Sequence, residues 1–190
     1  MKKIIFIFLF VAVENNSAQV VVEKNLSSIQ LSTLDQKTFS FEEIKKNAAS
    51  VFIFLLPDCP ACESYSRTLN QLQKKFKSSG IQFYGVFPGH YNTLQEMKDY
   101  QSRYRINFLL MTDPEKKLVK SLGAKISPEV FVLSNTGNTL YRGRIDDWLY
   151  AVGKKKLKVN THDLKNALNA IVQKRPIAVS ETNAIGCIIE

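Results

Sequence analysis

Two of the three cysteines in the chain, Cys59 and Cys62, are separated only by a proline and an alanine. Thiols at this spacing can close a small disulfide ring, attack a partner's disulfide and release the mixed disulfide that results. We therefore interpret the pair as a thiol–disulfide exchange site, with Cys59 as the more exposed nucleophile and Cys62 as the resolving thiol. Half of a zinc site or two unreactive cysteines are the alternatives. A zinc site needs a second pair of ligands, and Cys187 has no partner at zinc-finger spacing.

The residues around this pair predict where in the fold it lies. Six apolar residues, Val51–Leu56, are too few for a globular helix and predict a buried strand. Beyond the cysteines, apolar residues recur every three or four positions, as in an amphipathic helix: Tyr65, Leu69, Leu72 and Phe76. Pro60 suits the first turn of that helix. The unpaired N–H groups of this turn favour a thiolate at Cys59, whereas the negative charge of Asp58 disfavours it.

The remaining patterns predict an α/β protein. A helix over Pro60–Ser79, ended by Gly80, leads into a strand over Ile81–Phe87, which gives a parallel, right-handed β-α-β unit. Further strands are predicted at Phe108–Met111, Glu129–Ser134 and Thr139–Arg144. Further helices are predicted at Thr93–Arg103, Pro114–Leu122 and Thr161–Gln173, the last capped by Thr161.

The composition indicates one domain with a sizeable core, because 45% of the 190 residues are hydrophobic. The net charge is +9, but the lysines are scattered, apart from the run Lys154–Lys158, and no nucleic-acid-binding motif accompanies them. We therefore expect a solvated basic face and no nucleic acid partner. His90 and His162 are expected to be structural or solvated, so no metal site is predicted.

The start of the chain has the pattern of a secretory signal peptide over Met1–Ala18. Two lysines precede an apolar stretch, Ile4–Val13, and a cleavage site follows before Gln19. Ten apolar residues are too few to span a bilayer comfortably, and an uncleaved membrane anchor is the alternative. We expect an exported, periplasmic protein, in a compartment where disulfides persist. Residues 19–27 are expected to be an exposed lead-in.

Three stretches of the chain together resemble one known family: FIFLLPDCPACES at 52–64, SPEVFVL at 127–133 and YRGRIDD at 141–147. On these residues the chain resembles thioredoxin-fold redoxins of the extracytoplasmic TlpA/ResA-like, AhpC/TSA-related group of thiol–disulfide oxidoreductases. The resemblance covers residues 28–174 and leaves 175–190 as a C-terminal tail packed on or near the domain. Asp58 stands where such proteins usually carry tryptophan, and Leu56 stands where a peroxiredoxin carries threonine.

This resemblance implies a three-layer α/β/α sandwich with a central mixed β-sheet. It also implies that Pro128 is a cis-proline facing the CxxC motif, and that the backbone of Ser127 pairs with an extended substrate chain. Ser127 and Pro128 are therefore the expected substrate-binding residues. Glu63 resembles an acid of related reductases and could relay protons to Cys62. A solvent-facing glutamate in the first helical turn is an equally good interpretation.

The third cysteine, Cys187, also has two interpretations. It could be a third thiol near the active site, able to trap or resolve an intermediate or to join the other two as a metal ligand. It could instead be a small buried residue in a tail packed on the core. We favour the second interpretation, because an odd cysteine has no evident partner in the sequence.

We therefore expect an exported enzyme that exchanges disulfides with protein cysteines, acts as a monomer and needs no cofactor beyond its Cys59–Cys62 disulfide. An external redox partner, with a membrane electron donor as one candidate, would set its redox state. Two alternatives stay open. One is a copper-delivery protein of the SCO type, although that group carries three residues between its cysteines. The other is a thiol peroxidase, in which Cys59 attacks a peroxide.

Overall fold

The computed structural model describes residues 26–190, so the predicted signal peptide and residues 19–25 of the lead-in lie outside the described residues. The helices are α1 (Pro60–Phe76), α2 (Leu94–Arg103), α3 (Lys117–Leu122) and α4 (Asp163–Val172). The strands are β1 (Gln30–Thr33), β2 (Thr38–Ser40), β3 (Ala49–Phe54), β4 (Ile81–Pro88), β5 (Leu109–Asp113), β6 (Ile126–Ser127), β7 (Glu129–Leu133), β8 (Thr139–Gly143), β9 (Leu149–Ala151), β10 (Lys154–Lys155) and β11 (Cys187–Ile188). Short 3-10 turns occupy Leu26–Ser28, Phe41–Lys46 and Lys77–Ser79.

Seven of these strands form one mixed sheet, in the order β2-β1-β5-β4-β3-β7-β8. The pairs β3–β4 and β4–β5 are parallel, as the β-α-β pattern predicts, and the other neighbours in the sheet are antiparallel. The predicted α/β fold with a central mixed sheet is confirmed. Among residues 26–190, the helices are all too short or too polar to cross a bilayer.

Strand β3 lies inside the sheet, between β4 and β7, and all six of its residues are buried. Because successive side chains of a strand point to opposite faces, Val51 and Ile53 pack on the α1 side, whereas Phe52 and Phe54 pack on the other side. On the α1 side, the predicted helical stripe of Tyr65, Leu69, Leu72 and Phe76 is buried against the sheet. The first turn of α1 is thereby held at the carboxyl end of β3.

Several predicted boundaries shift in the structure. Strand β3 starts and ends two residues earlier than predicted, because its register partners on β4 and β7 begin opposite Ala49 and Ser50. Helix α3 begins at Lys117 and not at Pro114. The Asp113 carboxylate accepts hydrogen bonds from the N–H groups of Lys117, Leu118 and Val119, and so caps the helix there.

The last helix differs at its start. The predicted cap at Thr161 is wrong, because the capping position of α4 falls on His162, whose side chain makes no capping hydrogen bond. The N–H of Leu164 instead donates to the carbonyl of Ile145. Beyond α4, the tail returns across the molecule, and β11 pairs antiparallel with β6, with Cys187 opposite Ser127.

Candidate active site

Cys59 occupies the capping position of α1, directly after the turn that ends β3. Its N–H donates to the carbonyl of Leu56 at 3.1 Å, and its own carbonyl accepts the first helical hydrogen bond, from Glu63, at 3.1 Å. Pro60 stands at the first helical position, as expected. The flanking residues Asp58 and Pro60 are exposed, yet only 1% of Cys59 is exposed. Parts of the chain outside this turn must therefore cover the sulfur.

The covering group is Cys187, which forms a disulfide with Cys59 across a sequence separation of 128 residues. The two Cα atoms are 6.1 Å apart. This corrects two expectations. Cys187 is partly buried against the core, but it is not only a packing residue, because the pairing of β11 with β6 carries it to the start of α1. The disulfide in the structure joins Cys59 to Cys187 and not to Cys62, and Cys59 is consequently not an exposed thiol in this state.

Cys62 is the free thiol of the site, one helical turn further along α1, and it is fully buried. The Ser127 hydroxyl lies 3.1 Å from its sulfur and donates its own proton to the carbonyl of Phe54 at 2.9 Å. A hydroxyl carries one proton, so its free lone pair can accept the proton of the Cys62 thiol. The N–H of Leu56 points at the same sulfur from 3.5 Å.

The environment of Cys62 favours the neutral thiol. Burial raises the pKa of Cys62 to about 11, and the negative charges of Asp58 and Glu63 act in the same direction. A thiolate here could instead accept hydrogen bonds from a reoriented Ser127 hydroxyl and from the N–H of Leu56, which lowers the pKa but only partly opposes the effect of burial. Near neutral pH, Cys62 is therefore a protonated resolving group that must lose its proton before it can attack a disulfide.

Ser127 lies between the two sulfur atoms of the predicted pair. Its hydroxyl contacts Cys62, and its carbonyl oxygen is 3.3 Å from the sulfur of Cys59. The peptide bond from Ser127 to Pro128 is cis, and both residues are buried. The structure thus brings Ser127 to both cysteines, with the cis-proline Pro128 directly after it, and the role of these two residues in substrate binding stays a prediction.

Two further residues, Glu129 and Gly186, shape the loop that carries Ser127 and Pro128. The Glu129 carboxylate accepts hydrogen bonds from the N–H groups of Lys125, at 2.9 Å, and Ile126, at 3.4 Å. It holds the backbone ahead of Pro128 in place. Gly186 lies against the backbone of Ser127, where a Cβ atom would come within 2.7 Å of the Ser127 carbonyl carbon. In the sequence, the signal for this contact is a glycine directly before Cys187, the cysteine outside the CxxC motif.

Beside the cysteines, a cavity of about 250 Å³ opens between the first turn of α1 and helix α2. It is lined by the carboxylates of Asp58, Glu63, Glu96 and Asp99 and by the guanidinium of Arg103. Glu63 therefore faces a polar cavity near Cys62, and its role as a proton relay stays a prediction. Tyr100, which also lines the cavity, donates its hydroxyl proton to the carbonyl of Cys62 at 3.1 Å.

The corner after β8, residues 144–148, also holds α1 in place. The Asp146 carboxylate accepts hydrogen bonds from the Tyr65 hydroxyl at 2.7 Å and from the N–H of Trp148 at 2.9 Å. The ion pairs of this corner are made with residues later in the chain. Arg144 pairs with Asp163, and Asp147 pairs with Lys156, which lowers the pKa of Asp147 below its usual range.

No cluster of three or more histidine, cysteine or acidic side chains within residues 26–190 is arranged to hold a metal ion. His90 and His162 are both exposed.

Solved structures place the chain in the thioredoxin-like class of folds. A conserved protein from Geobacillus kaustophilus aligns with a TM-score of 0.77 and 22% identity, over 85% of this chain and 87% of that one. A hypothetical protein from Sinorhizobium meliloti aligns with a TM-score of 0.76 and 21% identity, over 85% and 89%. A secreted Mycobacterium tuberculosis disulfide oxidoreductase, described as homologous to E. coli DsbE, aligns with a TM-score of 0.55 and 16% identity, over 80% and 98%.

The family follows from the sequence match. The model of the AhpC/TSA family matches residues 22–142, which is more than half of the chain. The chain therefore belongs to the AhpC/TSA family, as the resemblance predicted. No curated protein matches it.

Proposed function

We propose that this protein is an exported thiol–disulfide oxidoreductase that exchanges disulfides with protein cysteines through Cys59 and Cys62. One observation carries the proposal. The sulfur of Cys59, at the start of α1, is joined to an extended segment that pairs with the backbone of Ser127, while a free thiol, Cys62, lies one helical turn away. This arrangement has the parts of an exchange intermediate: an attacked sulfur, a bound strand and a resolving thiol.

The exchange conserves electrons at each step. The Cys59 thiolate, favoured by the N–H groups of the first turn of α1, attacks one sulfur of a substrate disulfide and releases the other as a thiolate. The Cys62 thiolate then attacks Cys59, forms the Cys59–Cys62 disulfide and releases the first substrate sulfur. The substrate is reduced by two electrons and the protein is oxidised by two. A partner dithiol, or a membrane electron donor acting through one, reverses the change. The same steps in reverse oxidise substrate thiols.

Partners and location follow from the same proposal. The secreted mycobacterial neighbour is a disulfide oxidoreductase, and this supports protein thiols as substrates and an extracytoplasmic location. The predicted signal peptide over Met1–Ala18 agrees with export. We keep the expectation of a monomer that requires no cofactor other than its cysteines.

Equilibration with reduced and oxidised glutathione, followed by mass spectrometry of alkylated thiols, tests the proposal. Wild-type protein should cycle by two electrons. Cys59→Ser should abolish cycling, and the double variant Cys62→Ser/Cys187→Ser, which lacks both thiols that could displace glutathione, should accumulate a glutathione adduct on Cys59. Cys187→Ser is the matched control and should still form the Cys59–Cys62 disulfide. If Cys59 forms no adduct and no disulfide in any variant, the proposal is wrong.

The disulfide between Cys59 and Cys187 also supports a second candidate, a thiol peroxidase. Attack of the Cys59 thiolate on a hydroperoxide would yield an alcohol and a sulfenic acid, which the Cys187 thiol would convert to this disulfide with loss of water. Consumption of hydrogen peroxide with a dithiol donor separates the candidates. A peroxidase should lose turnover in Cys187→Ser, whereas glutathione exchange at Cys59 and Cys62 should persist in that variant.

A further inference from the structure

The C-terminal tail is attached to the domain at two separate points. The first point is Thr182. Its hydroxyl lies 2.7 Å from that of Tyr141 and accepts a hydrogen bond from the N–H of Arg144 at 3.0 Å. Its N–H donates to the carbonyl of Arg142 at 3.0 Å. This anchor does not involve the cysteines.

The second point is the short strand β11. Cys187 lies opposite Ser127 and Ile188 opposite Ile126, and the N–H of Ile189 donates to the carbonyl of Lys125 at 2.9 Å. The tail thus adds an antiparallel strand to the backbone just ahead of the cis Ser127–Pro128 bond. The side chain of Ile188 is 71% exposed, whereas Ile185 and Ile189 are partly buried against the core.

The tail lies so close to the edge of β6 that only glycine fits at position 186. A Cβ atom on Gly186 would overlap the carbonyl oxygen of Ser127 and lie 3.1 Å from the nitrogen of Pro128. These are backbone atoms in a buried loop, so they cannot rotate away as a flexible side chain can. The residue before the cysteine must therefore be glycine for the strand to dock in this register.

We propose that residues 184–189 are an internal substrate: they occupy the site where an extended, cysteine-bearing segment of a partner protein binds, and they block it while Cys187 is bonded to Cys59. The proposal rests on the proposed exchange activity and deepens it. It assigns the edge of β6 as the binding site and defines the substrate class as extended segments with glycine directly before the reacting cysteine.

Release of the tail needs no outside oxidant or reductant. The Cys62 thiolate attacks the sulfur of Cys59, the Cys59–Cys62 bond forms, and the Cys59–Cys187 bond breaks. Cys187 leaves as a thiolate and takes up the proton that Cys62 lost. One disulfide replaces another, so the protein stays equally oxidised. The exchange uncovers the edge of β6 and leaves Cys59 in the disulfide that an incoming protein thiol attacks.

The first anchor keeps the released segment close. Cys187 follows Thr182 by five residues, so an extended tether lets its sulfur move at most about 17 Å from the anchor. A tethered thiol competes with outside substrates at an effective concentration in the millimolar range. The tail therefore competes for the site, and only partner segments that bind well or are abundant can displace it.

Gly186→Ala tests the docking without altering a cysteine. Ile188→Ala is the control, because it changes the same tail strand at a side chain that is 71% exposed. After oxidation, mass spectrometry of the disulfide-linked peptides should show Cys59–Cys187 in the control. In Gly186→Ala, the Cys59–Cys62 disulfide should replace it almost completely. Equal amounts of Cys59–Cys187 in the two variants would overturn the proposal.

A peptide copy of residues 183–190 tests the substrate class on the opened site. Gly186→Ala protein with an oxidised Cys59–Cys62 pair is mixed with the peptide, or with a version carrying alanine in place of its glycine. Since such an overlap costs at least about 1.4 kcal/mol, the alanine peptide should react about ten-fold more slowly or worse. Equal rates would overturn the assigned site and leave the exchange activity standing. Failure of glutathione to react with any variant would count against the exchange activity itself.

Discussion

The central strands and the C-terminal tail are held to the molecule in different ways. Every residue of β3 and of β7 is buried, and both strands pair along their full length with their neighbours. Within residues 176–190, by contrast, no residue is fully buried. A few hydrogen bonds, one disulfide and the partial burial of Ile177, Ile185 and Ile189 hold the tail. Packing thus holds Cys62 and Ser127 rigidly, while the segment that covers Cys59 can be detached by a chemical step.

This difference predicts separate energetic roles for the two regions. Loss of core packing should lower the stability of the whole domain, whereas loss of tail contacts should change access to Cys59 at a smaller cost in the free energy of unfolding. The predictions below test this separation, in order of decreasing expected effect.

Phe131→Ala should have the largest effect. Phe131 is fully buried and makes an edge-to-face contact with Phe54, with ring centroids 5.7 Å apart. Truncation of such a residue typically costs about 3–5 kcal/mol in the free energy of unfolding. Urea denaturation measures it. Ile188→Ala, in the exposed tail, is the control and should stay within about 0.5 kcal/mol of wild type. Similar losses in the two variants would contradict the separation.

The pH dependence of tail release should be the next largest effect. Because the pKa of Cys62 is raised to about 11, its thiolate fraction increases with pH throughout the neutral and mildly alkaline range. The rate at which Cys62 displaces Cys187 should therefore rise about ten-fold per pH unit from pH 7 to pH 10. Trapping of the released Cys187 thiol by an excess of alkylating reagent measures the rate.

Cys62→Ala is the control for this experiment, since it removes the displacing thiol and should leave only a slow background. A rate that levels off below pH 9 would mean that Cys62 is not the buried, neutral thiol of the structure.

The sequence predicts the packed strands and helices better than it predicts the C-terminal tail. Strand β3 and helix α1 were predicted because burial leaves a local mark on the sequence, a run of apolar residues or a period of three to four. Ser127 and Pro128 were found through resemblance to a family. The errors at α3 and α4 have a local physical cause, since Asp113 and the backbone of Ile145 set the helix starts through contacts that the sequence pattern does not reveal.

The partner of Cys187 was missed for a different reason. The tail strand is only two residues long, and its partner strand lies far back in the chain, so no periodicity marks the pair. A disulfide across 128 residues leaves no local trace, and its connectivity cannot be read from cysteine spacing. Gly186 was the one nearby hint, and its meaning depends on the backbone of Ser127, which only the fold brings close.

Thr182→Val should separate the anchor of the tail from the rest of the domain. The change keeps the shape of the side chain but removes the hydroxyl that contacts Tyr141 and Arg144. Loss of these bonds should cost about 1–2 kcal/mol in the free energy of unfolding. It should also speed the alkylation of Cys187, because a loosened anchor lowers the effective concentration of its thiol. Thr139→Val, at an exposed position of β8, is the matched control and should change neither quantity.

Glu181→Gln should have the smallest effect, although it removes the ion pair between the tail and the sheet. The Glu181 carboxylate lies 3.3 Å from the guanidinium of Arg142, but 63% of its side chain is exposed, and an exposed pair contributes about 0–1 kcal/mol. The backbone of Arg142 still bonds to Ser180 and Thr182 after the change. Urea denaturation and Cys187 alkylation in low and high salt measure the pair. Faster alkylation of Cys187 in Glu181→Gln, together with an equal increase in wild-type protein at high salt, would contradict this. It would show that charge rather than backbone pairing holds the tail.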